Sequence, residues 1–225
     1  AHEAGAKVAL VERFDRIGGT SAISGGVIWV PNNPAMQRAG MADSREDALA
    51  YFRALDHGDL VDETLEAFVD RGPEALEFLE SIGALSVSLL EGYPDYYLDR
   101  EGAKPAGGRA LDHDLFALGE LDEWANRIFA IEEPKPMMLR ETPLGGGTGV
   151  VEPEEMARRM ATNERGFGQA MVARLLKACL DRRIEPILGV ETRELIREDG
   201  RIVGVSGARN GDKFELRARR GVIIS

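Results

Sequence analysis

Residues Val8–Pro31 read VALVERFDRIGGTSAISGGVIWVP, and the order of features in this stretch sets the fold class. A short apolar strand, Lys7–Val11, ends at the acidic Glu12. Ahead of it, Ala1–Gly5 reads as the last turn of a helix, with Gly5 in the left-handed position that closes helices. A helix that runs into a strand ending in an acid is the second half of a dinucleotide-binding βαβ unit. In such units the carboxylate binds ribose hydroxyls about 20 residues after a glycine-rich turn. Eleven residues precede Glu12, too few for that turn and the first strand, so the N-terminus is expected to be a truncation. A strand-end acid alone equally marks an ordinary surface carboxylate.

The continuation sharpens the reading. Two glycine pairs, Gly18–Gly19 and Gly25–Gly26, bracket Thr20, Ser21 and Ser24. Glycine lets the main chain approach a flat ligand, while N–H and O–H groups donate to phosphate and ring. A plain flexible loop would share this composition.

Further along, Ser44–Ala54 predicts a helix capped by Ser44. Asp62–Ile82 has helical spacing with an interruption near Gly72–Pro73. Leu85–Leu90 predicts a strand. Glu91–Val151, rich in Gly and Pro, reads as long loops with a short helix around Leu118–Ile128. Within it, Gly107–Gly108–Arg109 and Gly145–Gly147 read as flexible loop, since neither opens a helix after a strand. Gly168–Arg182 is an amphipathic helix. Strands at Glu185–Leu188, Thr192–Glu198, Arg201–Arg209 and Lys213–Arg219 follow, the last three joined by tight turns at Asp199–Gly200 and Asn210–Gly211. Gly221–Ser225 (GVIIS) has the pattern of a buried strand.

A formal charge of -11 excludes nucleic acid as a default partner, because phosphate binding needs clustered cations. It also disfavours an anionic membrane surface. No apolar run has the length of a membrane span. The single cysteine, Cys179, rules out an internal disulfide, fits a reducing compartment and predicts a cytoplasmic protein. His2, His57 and His113 lack metal-ligand spacing, so no metal is expected.

The order strand–Glu–RFDRIGGTSAISGG–W-x-P resembles the FAD-dependent succinate dehydrogenase/fumarate reductase-type flavoproteins, and within them the 3-ketosteroid 1-dehydrogenase branch. The ending Trp29–Pro31, the segment Gln37–Leu55, the YPDYY run Tyr93–Tyr97 and the run from Gly166–Val205 into Gly221–Ser225 carry the likeness. It implies an α/β fold: a Rossmann-like FAD-binding domain over 1–225, with a mostly parallel sheet and a β-hairpin layer, truncated at both ends. The catalytic cap domain would lie beyond Ser225.

The resemblance also implies roles. Glu12 would bind the adenosine ribose. Gly18, Gly19, Thr20 and Ser21 would line the pyrophosphate and ribityl path, and Ser24, Gly25 and Gly26 would pack near the isoalloxazine. Main chain around Thr192 would border the adenine. Arg13 reads equally as a phosphate ligand or a solvated charge. Tyr96 would be an active-site tyrosine supporting a base located beyond Ser225, while flavin takes hydride from a steroid or other cyclic enone precursor. Without the resemblance, the tyrosines read as an aromatic loop packed on a core, and Asp95 reads as a turn former after Pro94. A fumarate- or urocanate-type reductase and a non-catalytic binding domain are the rival functions. The 225 residues alone are expected to be inactive. Their unpaired strand edges invite a homo-oligomer.

Overall fold

The computed structural model describes residues 1–130 and 136–225. The chain forms two compact units, Ala1–Ile17 with Cys179–Ser225, and Gly18–Ala178.

The larger unit begins with a short helix, α1 (Gly19–Ile23), and a two-residue strand, β1 (Ile28–Trp29). Asn33 caps α2 (Pro34–Arg38) by accepting the Met36 N–H at 3.0 Å, with Pro34 pre-set at the first helical position. Ser44 caps α3 (Arg45–Leu55) as predicted, taking the Asp47 N–H at 3.0 Å. The long helix α4 (Asp62–Ser81) corrects one expectation, because it runs unbroken through Pro73. Proline removes one helical hydrogen bond. Burial of Leu65 and Val69 against Ala48 and Leu49 of α3, and of Leu76 against Val30, Leu85 and Leu111, outweighs that loss.

The sheet of this unit is made by β2 (Val87–Glu91) and β3 (Gly107–His113), with order β1-β3-β2 and antiparallel throughout. Its central strand β3 is buried along its whole length. The sequence reading assigns that stretch to loop. The strand is hidden because Gly107, Gly108, Arg109, Asp112 and His113 are poor strand formers that only tertiary partners make acceptable. Two short strands, β4 (Phe116–Ala117) and β5 (Glu164–Arg165), pair antiparallel on either side of helix α5 (Pro153–Ala161) in sequence. The expected short helix near residue 120 is a 3-10 segment, Leu118–Arg127. Helix α6 (Phe167–Asp181) buries Val172, Ala173 and Leu176.

In the smaller unit, β6 (Val190–Glu198), β7 (Arg201–Arg209) and β8 (Asp212–Arg217) form an antiparallel meander, the predicted hairpin layer. Asp199 and Gly200 have φ of 48 and 78, and Asn210 and Gly211 have φ of 52 and 93. These are the positive values that two-residue hairpins require. Here too Val11 forms a parallel bridge with Ile187.

The expectation of a mostly parallel sheet does not hold, since all three sheets of the described residues are antiparallel. Strands joined by two-residue turns have no other option, because parallel pairing needs a long crossover. Residues 221–225 are also not a buried strand. They carry no regular structure, and Ile223 and Ile224 are 89% and 75% exposed. An apolar run becomes a strand only where a neighbour offers it hydrogen bonds. Among the described residues no helix is long and apolar enough to cross a membrane.

Candidate active site

Arg109 of β3 sits at the centre of the larger unit, 1% exposed. Its guanidinium grips Asp43 in bidentate fashion, Nε to Oδ2 at 2.9 Å and Nη2 to Oδ1 at 2.8 Å, while Nη1 donates to Asp95 Oδ2 at 3.0 Å. Lys104 Nζ adds an ion pair to Asp43 at 3.3 Å and another to Asp47 at 2.6 Å. The aromatic rings of Trp29 and Tyr51 lie 5.4 and 5.5 Å from the guanidinium carbon, completing its surroundings with π faces. Burial alone would raise the Asp43 carboxyl. Hydrogen bonds from Arg109 and from the main chain of Asn32 and Ser44 reverse this and hold its pKa below the usual value.

This ion cluster carries the YPDYY segment. Asp95, read from sequence as a turn former, is buried. Its Oδ1 accepts the Trp29 indole N–H at 2.8 Å, and its Oδ2 accepts the Lys104 main-chain N–H at 2.9 Å as well as Arg109. Two residues on, the Tyr97 N–H donates to the Tyr51 hydroxyl at 3.2 Å. Gly107 lets the segment lie down on β3: with φ of 76, a Cβ there would fall 2.5 Å from the Tyr93 carbonyl oxygen. The segment walls an apolar pocket of about 350 Å³, lined on its other sides by Val27, Trp29, Tyr51, Phe52 and Ala110. That volume lies in the range of small-molecule sites, roughly 300–1,000 Å³. Tyr96 stands at this pocket, 86% exposed. Burial first, and then the neighbouring Tyr96 phenol, raise the Tyr93 phenol above its usual pKa.

The glycine segment 18–26 divides into two kinds of position. Gly18 and Gly26 serve internal packing. A Cβ on Gly18 would meet Ala22 at 2.7 Å, and one on Gly26 would meet the Gly168 nitrogen at 2.7 Å. Gly19 has nothing within 4 Å and Gly25 only a Val27 methyl at 3.9 Å, so the main chain there is open to a ligand. Thr20, Ser21 and Ser24 are exposed beside them. The Ser24 hydroxyl donates to the Ser21 carbonyl at 2.8 Å and accepts the Gly26 N–H at 3.0 Å, which stiffens the turn. A bare, hydroxyl-lined main-chain surface of this type suits a flavin nucleotide.

Glu12, Arg13 and Thr192 fall in the smaller unit. Glu12 joins the start of β6, donating its N–H to the Ile187 carbonyl at 3.0 Å and accepting the Val190 N–H at 2.8 Å. Its Oε1 caps the following turn through the Phe14 N–H at 2.9 Å. Arg13 is 3.6 Å from Glu191 Oε1, an exposed ion pair. Thr192 is exposed and paired with Gly207 of β7, where a Cβ would strike the Glu191 carbonyl at 1.9 Å.

The sequence reading does not single out Asp43 or Lys104, and it takes Arg109 only as part of the flexible run Gly107–Gly108–Arg109. Their partners lie far along the chain, Arg109 66 residues from Asp43 and Lys104 57 from Asp47, and no neighbouring residue marks the pairing. His113 is a second buried group that sequence reading leaves aside. Burial pushes its pKa down to about 4, helped by the charge of Arg174. Neither ring nitrogen has a hydrogen bond of good geometry, although the Gly26 main chain exerts a small opposite pull. Next to it, burial raises the Asp112 carboxyl despite the Arg140 N–H at 2.9 Å. Cys179 is half-buried with its pKa raised by burial, which fits a packing role. Among the described residues no group of three or more His, Cys, Asp or Glu could hold a metal ion.

A family model described as the FAD binding domain matches residues 1–225. The 3-oxosteroid 1-dehydrogenase of Comamonas testosteroni is 32% identical over 100% of this chain and 43% of its own length. The 4-oxocyclohexanecarboxylate 2-dehydrogenase of Sinomonas cyclohexanicum is 31% identical over 100% of this chain and 40% of its own length. A crystal structure of 3-ketosteroid Δ1-dehydrogenase from Sterolibacterium denitrificans in complex with 1,4-androstadiene-3,17-dione superposes with a TM-score of 0.82 at 31% identity, covering 98% of this chain and 43% of the other. The chain thus spans about two fifths of the length of these relatives. The chain belongs to the FAD binding domain family, whose cofactor is FAD.

Proposed function

We propose that the protein containing this chain is an FAD-dependent dehydrogenase that introduces a C=C bond next to the ketone of a cyclic, steroid-type substrate. The observation that carries the reading is the apolar pocket of about 350 Å³ with the tyrosines of YPDYY at it. A flat apolar ring system suits its walls, and a phenol suits a proton-handling role beside an enolisable ketone. The names of the relatives, which act on 3-oxosteroids and a 4-oxocyclohexanecarboxylate, support the same class.

When bound, FAD supplies the two-electron acceptor for hydride removal. In this chain Glu12 would hold the ribose hydroxyls, with Arg13 and main chain around Thr192 beside the adenosine. The open main chain at Gly19 and Gly25, with Thr20, Ser21 and Ser24, would take the pyrophosphate, ribityl and ring, while Gly18 and Gly26 keep that surface in shape. Tyr96 would hydrogen-bond the group that removes the substrate proton, and the pocket wall of Trp29, Tyr51 and Phe52 would keep water from the reacting ring. The parallel bridge Val11–Ile187 supports a Rossmann-like sheet, and the family match over 1–225 supports reading all of it as part of one FAD-binding domain. The acidic composition and the lone cysteine support a cytoplasmic location, and the exposed Ile223 and Ile224 support pairing with a second copy.

The test is turnover of 3-ketosteroids and 4-oxocyclohexanecarboxylate by the full-length holoenzyme with an artificial electron acceptor. Tyr96→Phe should lower turnover roughly 10- to 1000-fold with FAD content unchanged, since only a phenolic O–H is lost. A holoenzyme inert toward every cyclic ketone, or a fully active Tyr96→Phe, would overturn the reading.

A further inference from the structure

Tyr96 is held from both sides by hydrogen bonds to its chain neighbours, at a pocket that Tyr51, Asp95 and Tyr97 also line. On its N-terminal side, the Asp95 carboxylate takes N–H groups from Trp29, Lys104 and Arg109 at 2.8, 2.9 and 3.0 Å. On its C-terminal side, the Tyr97 N–H is bound by the Tyr51 hydroxyl at 3.2 Å. Between these two anchors Tyr96 is 86% exposed, so its own side chain contributes little to packing. The Asp95 and Arg109 side chains are 2% and 1% exposed. A buried ion pair of this kind is weak evidence for stability, because desolvation offsets most of the attraction. What it does supply is a single fixed geometry, since three N–H donors converging from different directions hold the carboxylate in one orientation.

We propose that Asp95 and Tyr51 are positioning residues that fix the main chain on either side of Tyr96, and so fix where its phenol stands at the pocket. The proposal rests on the dehydrogenase reading above. A second geometric feature supports it: Tyr93, three residues back, packs with Leu90, Ala110 and Leu139 of the core and lines the same pocket as Tyr96. The segment that carries Tyr96 is thus tied to the core on its N-terminal side at Tyr93 as well as at Asp95. Asp95→Asn preserves shape and the acceptor for Trp29 but replaces the charged oxygen that accepts from Arg109 and the Lys104 N–H by an amide donor. Tyr51→Phe keeps the ring that walls the pocket and removes only the acceptor for Tyr97.

The experiment is a pair of double-mutant cycles in the full-length holoenzyme, Asp95→Asn with Tyr96→Phe and Tyr51→Phe with Tyr96→Phe, reading kcat, KM and bound FAD. If the two residues act through Tyr96, each single substitution lowers kcat about 5- to 50-fold with KM and FAD content within about threefold. Each then has less than about a twofold effect once Tyr96→Phe is present. Equal losses with and without Tyr96→Phe would overturn the proposal and assign both residues to general architecture. No loss from either single substitution would overturn it too. Should Asp95→Asn not fold, the Tyr51→Phe cycle decides alone, because deleting one hydroxyl leaves the ring in place. A fully active Tyr96→Phe would instead bring down the dehydrogenase reading on which the proposal stands, an outcome distinct from additive losses.

Discussion

Gly168 and Ser21 meet backbone to backbone: a Cβ on Gly168 would lie 1.9 Å from the Ser21 carbonyl oxygen. The Gly168 N–H also donates to the Ser24 carbonyl at 3.1 Å. The start of α6 is thereby pressed onto the glycine segment, and no side chain can be inserted between them without moving main chain. Gly168→Ala should therefore destabilise the protein by about 1–3 kcal/mol or more, as overpacking against a rigid neighbour does. Urea unfolding of the two proteins side by side measures it, and matching midpoints would mean that the segment yields freely.

Gly25 offers the complementary case. A Cβ there meets only Val27 at 3.9 Å, so Gly25→Ala should leave stability within about 0.5 kcal/mol. If flavin lies along this surface, the same methyl group occupies its space, and FAD affinity should fall about tenfold or more, a change of roughly 1.4 kcal/mol. Unchanged FAD binding in titration would move the cofactor off Gly25.

Glu12→Ala in the full-length protein should weaken FAD by about 1–3 kcal/mol, the cost of leaving ribose hydroxyls without an acceptor in a buried site. Loss of the Oε1 bond to the Phe14 N–H would loosen the turn as well. The discriminating measurement is a flavin titration alongside a melting curve. A lower melting temperature with intact affinity would restrict Glu12 to capping its turn.

His113 links stability to pH. It is buried neutral, with a pKa of about 4 against an ordinary 6.5. As pH falls through about 6.5 the unfolded chain takes up the proton first. Stability should drop between about pH 6.5 and 4, by an amount of order 3 kcal/mol, and level off below. His113→Phe keeps ring volume and should flatten this slope. Denaturant midpoints at pH 4.5, 5.5 and 6.5 test it, and identical slopes in both proteins would show that the imidazole is protonated in the folded state.

Pro73 lies inside α4 and leaves the Val69 carbonyl without its helical donor. Pro73→Ala should stabilise the protein by about 1–3 kcal/mol, the usual cost of an interior proline recovered. A decrease instead would mean that the ring packs in a way alanine cannot replace.

What the sequence determined by itself is the set of features fixed by a few neighbouring residues. The hairpin turns at Asp199–Gly200 and Asn210–Gly211 follow from residues that tolerate positive φ, and all four have it. The start of α3 follows from one hydroxyl within reach of one N–H, Ser44 to Asp47. The glycine segment stood out as a candidate cofactor surface because bare main chain is a local property. Only the tertiary structure decided which glycines face outward: Gly18 and Gly26 are taken up by Ala22, Val172 and α6, while Gly19 and Gly25 stay open. It also decided that residues 107–113 are the central strand. Their glycines and charges oppose a strand locally, and become compatible with one when Arg109 finds Asp43, 66 residues away, and Asp95, 14 away. Asp95 likewise looks like a turn residue until its three donors converge on it. Caps and turns are set by hydrogen bonds spanning two to four residues, which a sequence displays directly. Burial of charge depends on partners that only the folded chain brings within 3 Å, and no local pattern records it.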